Sequence, residues 1–498
     1  MPNDEKNAGR IVVSSRRGSL VAAAGCGKTE QIARATAISD CKRLILTHTH
    51  AGVDAILNRL QKLKVPTSKF HISTIAGWCL QFCRSYPKRS EFDNTVPLPQ
   101  INWDVVYEAC SRLLLSGAVD GIIHASYGGV FVDEYQDCTV KQHDVIRLLA
   151  EELPCFVFGD PLQGIYDFRG QIPVDWEKDV YPVFPKEVTL IQPHRWINAH
   201  NPKLAEWLKY VRTELEKQNP VDLFSRPSCV SYIPLPQTDE ERKKVILNIC
   251  MKALGAPQEE RIIVLENAAA PEARAFLARN LSSKWYRNIE PLYCKPLADT
   301  AKRIDSSTGI DRLIALLEFA GECKTGTNST AIISAVKSHL QGGKQGRKAF
   351  QDLFPYTDCV IKTGSREAML ELLCAIDERT KTSVYRPEMF SAMKAAMRLN
   401  PDNPNMPLAD RVCEVQNCIR HIGRRFGRSS VGSILLVKGL EFDHSVIVHQ
   451  TKMTNKDLYV ALTRATKSIR ILAQSQSLIP YIRPSDYQSP QKSFNFEQ

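Results

Sequence analysis

The chain has 498 residues, and at roughly 100 to 200 residues per domain that length excludes a lone small domain and predicts three or four structural units. Hydrophobic residues make up 43% and charged residues 24%, a balance that excludes wholesale disorder and a collagen-like repeat. Lys and Arg outnumber Asp and Glu by 65 to 54, a net +11 that hints at a polyanionic partner and makes the placement of the positive residues matter.

The 15 cysteines are scattered with no CxxC, so neither a zinc ribbon nor a disulfide framework is expected, and buried thiols in a reducing cytosol are. The N-terminal MPNDEKNAGR is polar, and no run reaches the 18 or so apolar residues that span a bilayer. A cytoplasmic, non-membrane protein is expected.

Taken in chain order, short apolar runs alternate with helix-length segments. Strands are predicted at 19–23, 43–47, 70–74, 129–133, 155–159 and 188–191, and a second set at 230–233, 261–265, 433–437, 445–449 and 468–472. Such alternation argues for parallel sheets with crossover helices, and two sets argue for two α/β lobes. From about 296 to 425 the pattern is mainly helical, broken by GGKQGRK and NPDNPNMP, as expected of an insertion in the second lobe.

The first chemical signal follows the first strand, where Ala22, Ala23, Ala24, Gly25, Cys26, Gly27, Lys28 and Thr29 match a phosphate loop except that Ala22 stands in place of the first glycine. Gly25 and Gly27 let backbone N–H groups close around phosphate oxygens, Lys28 brings a point charge to the β/γ-phosphates, and Thr29 offers a hydroxyl to Mg²⁺. A helix starting at Thr29 adds the positive end of its dipole. A plain glycine turn shares part of this pattern.

Downstream, GGVFVDEYQDCT ends an apolar run in Asp133 and Glu134, one carboxylate at the C-terminal edge of a strand and a second beside it. Asp133 suits Mg²⁺, and Glu134 suits the polarisation of a water that attacks the γ-phosphorus. A solvated acidic turn is the plain alternative, made improbable by the phosphate loop upstream.

Two stretches suit nucleic acid. Residues 55–90 hold seven cations (Arg59, Lys62, Lys64, Lys69, Arg84, Lys88, Arg89) and no acid, interleaved with Phe70, Trp78, Phe82 and Tyr86. Residues 415–440 hold Arg420, Arg424, Arg425, Arg428 and Lys438, again without an acid. Phosphates reward such cations and single-strand bases stack on such rings, although either run also reads as a solvated helix face.

DEYQD, together with VFGDPLQGIYDFRG at 157–170, VKGLEF at 437–442 and YVALTRA at 459–465, resembles the UvrD/Rep-like branch of superfamily 1 helicases, in order from Leu20 to about Leu472. The resemblance implies an ATP- and Mg²⁺-dependent motor moving 3′→5′ on single-stranded DNA or a single-strand/duplex junction. The implied fold is α/β, two RecA-like P-loop lobes with small helical insertions. Lobe 1A would take 1–86 and 122–190, insertion 1B 87–121, lobe 2A 191–295 and 426–485, insertion 2B 296–425, and a polar tail 486–498.

The same resemblance implies Gln163 as sensor of the γ-phosphate and attacking water, Arg195 and Arg464 as arginines reaching the transferring phosphoryl, and Glu441 as a ribose contact. It implies nucleic-acid contacts at Thr47, Thr49, Thr74, Trp78, Tyr166, Phe168, Arg169 and Lys438, with Tyr166 and Phe168 as stacking rings close to Gln163. Departures are informative: residues 1–30 contain no glutamine to read adenine, Ala51 replaces a usual lysine, and Leu435 and Leu436 replace a polar pair. Two functions are open. One is a self-sufficient DNA helicase of repair or replication restart. The other is a compact DNA-stimulated ATPase subunit that activates a partner nuclease, as in Gabija-type antiviral defence, with weak unwinding of its own.

Overall fold

The computed structural model describes residues 3–96, 101–166, 172–266, 270–282, 285–291, 294–342, 348–398, 406–422 and 427–483. Phe168, Arg169, Arg424, Arg425 and the 486–498 tail lie outside these, as does the side chain of Arg420.

The chain divides into two units. The first takes the described residues through Val230 together with Gln450–Lys467 and 475–483; the second takes Ser231–His449 and Ser468–Gln474. The first is built on a six-stranded sheet ordered Phe70–Thr74, Arg43–Thr47, Gly129–Val132, Cys155–Gly159, Arg17–Ala22, Lys186–Leu190. Every neighbouring pair is parallel, with Arg43 opposite Phe70 and Gly129, and Arg17 opposite Cys155.

Alternation of side chains across the pleat explains why the central runs are largely apolar and buried on both faces, while the edge strands Phe70–Thr74 and Lys186–Leu190 keep polar, more exposed residues. Leu44, Leu46, Val130, Val132 and Val157 pack on one face with Trp78, Tyr107, Tyr135 and Ile146. Ile45, Phe131, Phe156 and Phe158 pack on the other with Leu20, Ile32 and Val188. A strand buried on both faces cannot be an outer layer, so helices must cover both sides, and each fully buried Leu or Phe contributes about 1.5–3 kcal/mol. Parallel pairing also sends the C-terminal ends of all six strands to one edge, from which the loops at 23–27, 133–137 and 160–163 emerge.

The second unit holds another six-stranded sheet, in which Tyr286–Asn288, Ser429–Gly432, Ile262–Leu265 and Phe442–Val448 run parallel. Val230–Pro234 and Ala465–Ala473 complete it. The fold is thus mixed α/β with two RecA-like sheets. One predicted strand is corrected: 433–437 is not extended, but enters a short 3-10 turn at Leu435–Val437, and the strand precedes it at Ser429–Gly432. The Ser-Ser-Val-Gly run is fully buried while Leu435 is 40% exposed. Apolarity alone pointed to the wrong five residues.

From Lys295 to Ile422 the described residues of this unit are almost all helical, with a core of their own around Leu316, Phe319, Leu372, Phe390 and Met393. A bidentate pair binds this helical body to its sheet: Arg386 donates to Glu290 at 2.5 and 2.8 Å. All fifteen cysteines are unbridged. Among the described residues, no helix is long and apolar enough to cross a membrane.

Candidate nucleotide site

The buried strand Arg17–Ala22 runs into a turn whose glycines adopt left-handed backbone angles, φ +70° at Gly25 and +86° at Gly27, where an L side chain is strained. The Cys26 N–H donates to the Ala23 carbonyl at 3.1 Å, and the Lys28–Ile38 helix starts directly afterwards. Thr29 is half-exposed in its first turn. The arrangement is a cradle of amides at a helix N-terminus, which favours phosphate. A Cβ on Gly25 would lie 2.7 Å from the Arg195 Cβ and 3.0 Å from the Trp196 ring, so the cradle also depends on glycine for packing.

Lys28 is only 9% exposed and its Nζ lies 3.7 Å from the Glu134 carboxylate. Burial by itself would lower its pKa, but Glu134, Asp160, Asp133 and Asp137 raise it, so Lys28 is charged. Asp133 ends its strand 3% exposed and accepts from the Glu134 N–H at 2.9 Å. Burial, then the Glu134 charge, push its carboxyl up to about 7 against the pull of Lys28. Glu134 holds a left-handed backbone angle, φ +53°, uncommon for a residue with a side chain and a frequent mark of functional turns. Asp133, buried, and Glu134, half-exposed, bring two carboxylates against one lysine, a local excess of negative charge, and the Thr29 hydroxyl and Asp133 are hard oxygen donors of the kind Mg²⁺ takes. The residues fit that ion.

Gln163 is 6% exposed and donates to Asp160 at 2.7 Å. The Asp160 N–H donates in turn to Gln136 at 2.9 Å, and Gln136 donates to Glu134. Four residues of two separate loops therefore form one hydrogen-bonded chain.

Arg195 lies in the short His194–Asn198 helix, whose N–H at Arg195 donates to the Gly25 carbonyl at 3.2 Å and whose Trp196 indole donates to the Ala465 carbonyl at 2.8 Å. Its guanidinium donates to the Thr463 carbonyl at 3.0 Å. Arg464 is 1% exposed and donates to the Val460 carbonyl at 2.8 Å and the Thr463 hydroxyl at 3.0 Å. Both arginines thus meet at Thr463, inside the unit that carries Lys28.

The expected nucleic-acid contacts are more divided. Thr49 and Thr74 are N-caps, accepting from the amides of Gly52 at 3.1 Å and Gly77 at 3.0 Å, and Thr47 is 1% exposed at its strand end. Trp78 is 3% exposed, stacked on Phe82 with centroids 4.8 Å apart, and offers no face to a base in this conformation. Tyr166 is half-buried, its hydroxyl held un-ionised by burial and by Asp137 and Glu134. Glu441, exposed, and Lys438, half-exposed, belong to the second unit; the Glu441 carbonyl accepts from Arg261 at 2.7 Å.

Asp160, Gln136, Tyr459 and Arg212 were not singled out by motif reasoning, although all four join the buried network. Three of them sit inside the motif segments quoted above and could have been found there. Arg212 lies on an ordinary amphipathic helix and carries no local signal.

Residues 101–174, the segment that bears Asp133, Glu134 and Gln163, match the UvrD/REP helicase N-terminal domain family. No curated protein sequence matches the chain. Among solved structures it is similar to the Arterivirus nonstructural protein 10 helicase in complex with DNA, at 10% identity, 94% of this chain and TM-score 0.35. A second structure of that helicase aligns at 9% identity over 94% of this chain, with TM-score 0.34. The alignments span 62% and 60% of those chains. Residues 101–174 thus carry a likeness to the UvrD/REP helicase N-terminal domain, and the phosphate loop lies upstream of that segment.

Proposed function

We propose that the chain is an ATP-driven motor that moves 3′→5′ along single-stranded DNA and hydrolyses its fuel at the Lys28–Glu134 site. The observation that carries this reading is the meeting of a phosphate-loop lysine with Glu134 at 3.7 Å, directly after the buried strand-end Asp133 and in the same unit as the buried Gln163. Phosphates of ATP would lie along the Gly25–Gly27 turn and the first amides of the following helix, with the Lys28 charge on the β/γ oxygens. Thr29 and Asp133 would hold Mg²⁺, which supplies neutralisation of the phosphate charge. Glu134 would take a proton from the attacking water, and Gln163, tied to it through Asp160 and Gln136, would orient that water. Arg195 and Arg464 would stabilise charge on the transferring group. Direction of travel rests on the motif resemblance.

ATP turnover with and without single-stranded DNA tests the reading. Glu134→Gln should lower DNA-stimulated turnover by about 10²–10⁴-fold while ATP binding persists; a wild-type chain whose turnover ignores single-stranded DNA would sink it. The Trp103–Leu115 and Asp120–Ser126 helices pack into the first unit's own core, which favours a short insertion with little strand-separating apparatus. A forked duplex therefore distinguishes a self-sufficient helicase, which opens it, from an ATPase that serves a nuclease partner and leaves it mostly closed.

A further inference from the structure

Three segments far apart in the chain meet on one guanidinium. Arg212 lies in the Pro202–Glu216 helix, 17% exposed, and makes a bidentate pair with Asp160, which is fully buried: Nη1 to Oδ2 at 3.0 Å and Nη2 to Oδ1 at 2.9 Å. Nη1 also donates to the Tyr459 hydroxyl at 3.0 Å, and Nε pairs with Glu216 at 2.8 Å. The same Tyr459 oxygen accepts from the Ala24 N–H of the phosphate loop at 3.1 Å. Asp160 Oδ2 accepts from Gln163 as well. All of these residues lie in the first unit.

Every nitrogen of the guanidinium is thus engaged: Nε is held by Glu216 of its own helix, and the two Nη atoms end on Asp160 and Tyr459, groups attached to the proposed chemistry. Towards one side lies Ala24 of the loop that would cradle phosphate; towards the other lie Gln163 and, through the Asp160 amide and Gln136, Glu134. A buried pair of this kind is weak as a source of stability, because desolvation offsets much of its attraction, but it fixes register well. A planar fork pairs bidentately with Asp160 while also reaching Tyr459; a lysine, with its donors on one nitrogen, cannot reproduce that bidentate geometry.

Resting on the function proposed above, we infer that Arg212 is a positioning residue of the ATPase cycle, which keeps Gln163 in register with the phosphate loop by holding Asp160 and Tyr459 together. Energetic coupling is the content of that statement, so the test is a double-mutant cycle on the full chain with kcat, KM and equilibrium ATP binding measured. Arg212→Gln should lower DNA-stimulated kcat by about tenfold or more with KM changed less than about threefold. Gln163→Ala should lower it similarly, and the double variant should be no worse than the poorer single variant within about twofold. Arg212→Lys should not restore the rate. Tyr459→Phe, which removes one oxygen, should chiefly weaken ATP binding.

Losses that multiply in the double variant, or a KM that rises with kcat intact in Arg212→Gln, would overturn the inference and leave a helix staple. Should Arg212→Gln fail to fold, the same cycle run with Arg212→Lys decides in the same terms. A wild-type chain without DNA-stimulated turnover sinks the underlying motor reading instead, whereas active wild type with an equally active Arg212→Gln sinks only the role of Arg212.

Discussion

At the scale of single residues, the phosphate loop shows how packing and chemistry share one position. Gly25 holds φ +70° and lies against Arg195 and Trp196. Gly25→Ala should cost about 1–2 kcal/mol from backbone strain alone, with more from the clash, and should weaken ATP binding together with thermal stability, read by melting temperature with and without nucleotide. The placement of Lys28, Asp133 and Glu134 near strand C-terminal ends was legible because each follows a buried strand directly or within a short loop, whereas Gln163 was marked only by its motif resemblance. Thr49, Thr74 and Trp78 were less so. A threonine before a helix serves as a cap and a nucleic-acid contact alike, and a tryptophan in a basic run is equally able to fill a core. Local sequence does not separate these roles; in this structure the two threonines cap their helices and Trp78 is buried. Arg212 was invisible for the same reason, since its partners are 52 and 247 residues away.

At the scale of elements, most strands were readable from β-rich apolar runs bounded by polar turns; Arg43–Thr47, Phe70–Thr74 and Cys155–Gly159 fall where they were predicted. The 433–437 error and the unforeseen Tyr286–Asn288 strand share a cause. Short strands with Ser, Asn or Arg gain burial from neighbours contributed elsewhere in the chain, and no local pattern marks that. The helical body is tied to its sheet by Glu290 and Arg386. Burial would raise the Glu290 carboxyl, but Arg386, aided by Asn288 and Arg274, holds it below its ordinary value. Because the folded value is depressed, this stabilisation is complete above about pH 4.5 and is lost as pH falls through the lower folded value. Arg386→Met leaves a buried carboxylate unpaired and should cost about 3–5 kcal/mol. Denaturant unfolding at neutral pH checks that cost, and it should shrink in acid as Glu290 is protonated.

At the scale of the whole molecule, the +11 charge divides into cations that serve the fold and cations open to solvent. Lys69 donates to the carbonyls of Ala37 and Ser39 at the end of the Lys28–Ile38 helix, Arg59 pairs with Glu30, and Arg428 donates to the Ala256 carbonyl. Lys62, Lys64, Lys88 and Arg89 are exposed. If single strands lie along this run, replacing Lys62 and Lys64 with Ala should flatten the salt dependence of binding by about 1.4 in log–log slope. Lys69→Ala should leave that slope unchanged and lower stability by about 1 kcal/mol. Fluorescence anisotropy across a salt series measures both. The division of the chain has a consequence in time as well. The first unit is left at Val230 and regained only at Gln450–Lys467, the stretch that carries Tyr459, Thr463 and Arg464. At about 5–20 residues per second, synthesis of the intervening stretch takes roughly 10 to 50 seconds. A nascent chain therefore has its phosphate loop and carboxylates long before the tyrosine and arginine that complete their surroundings. Under the proposed function, the emerging protein passes through a long interval in which it can meet ATP without being assembled to hydrolyse it.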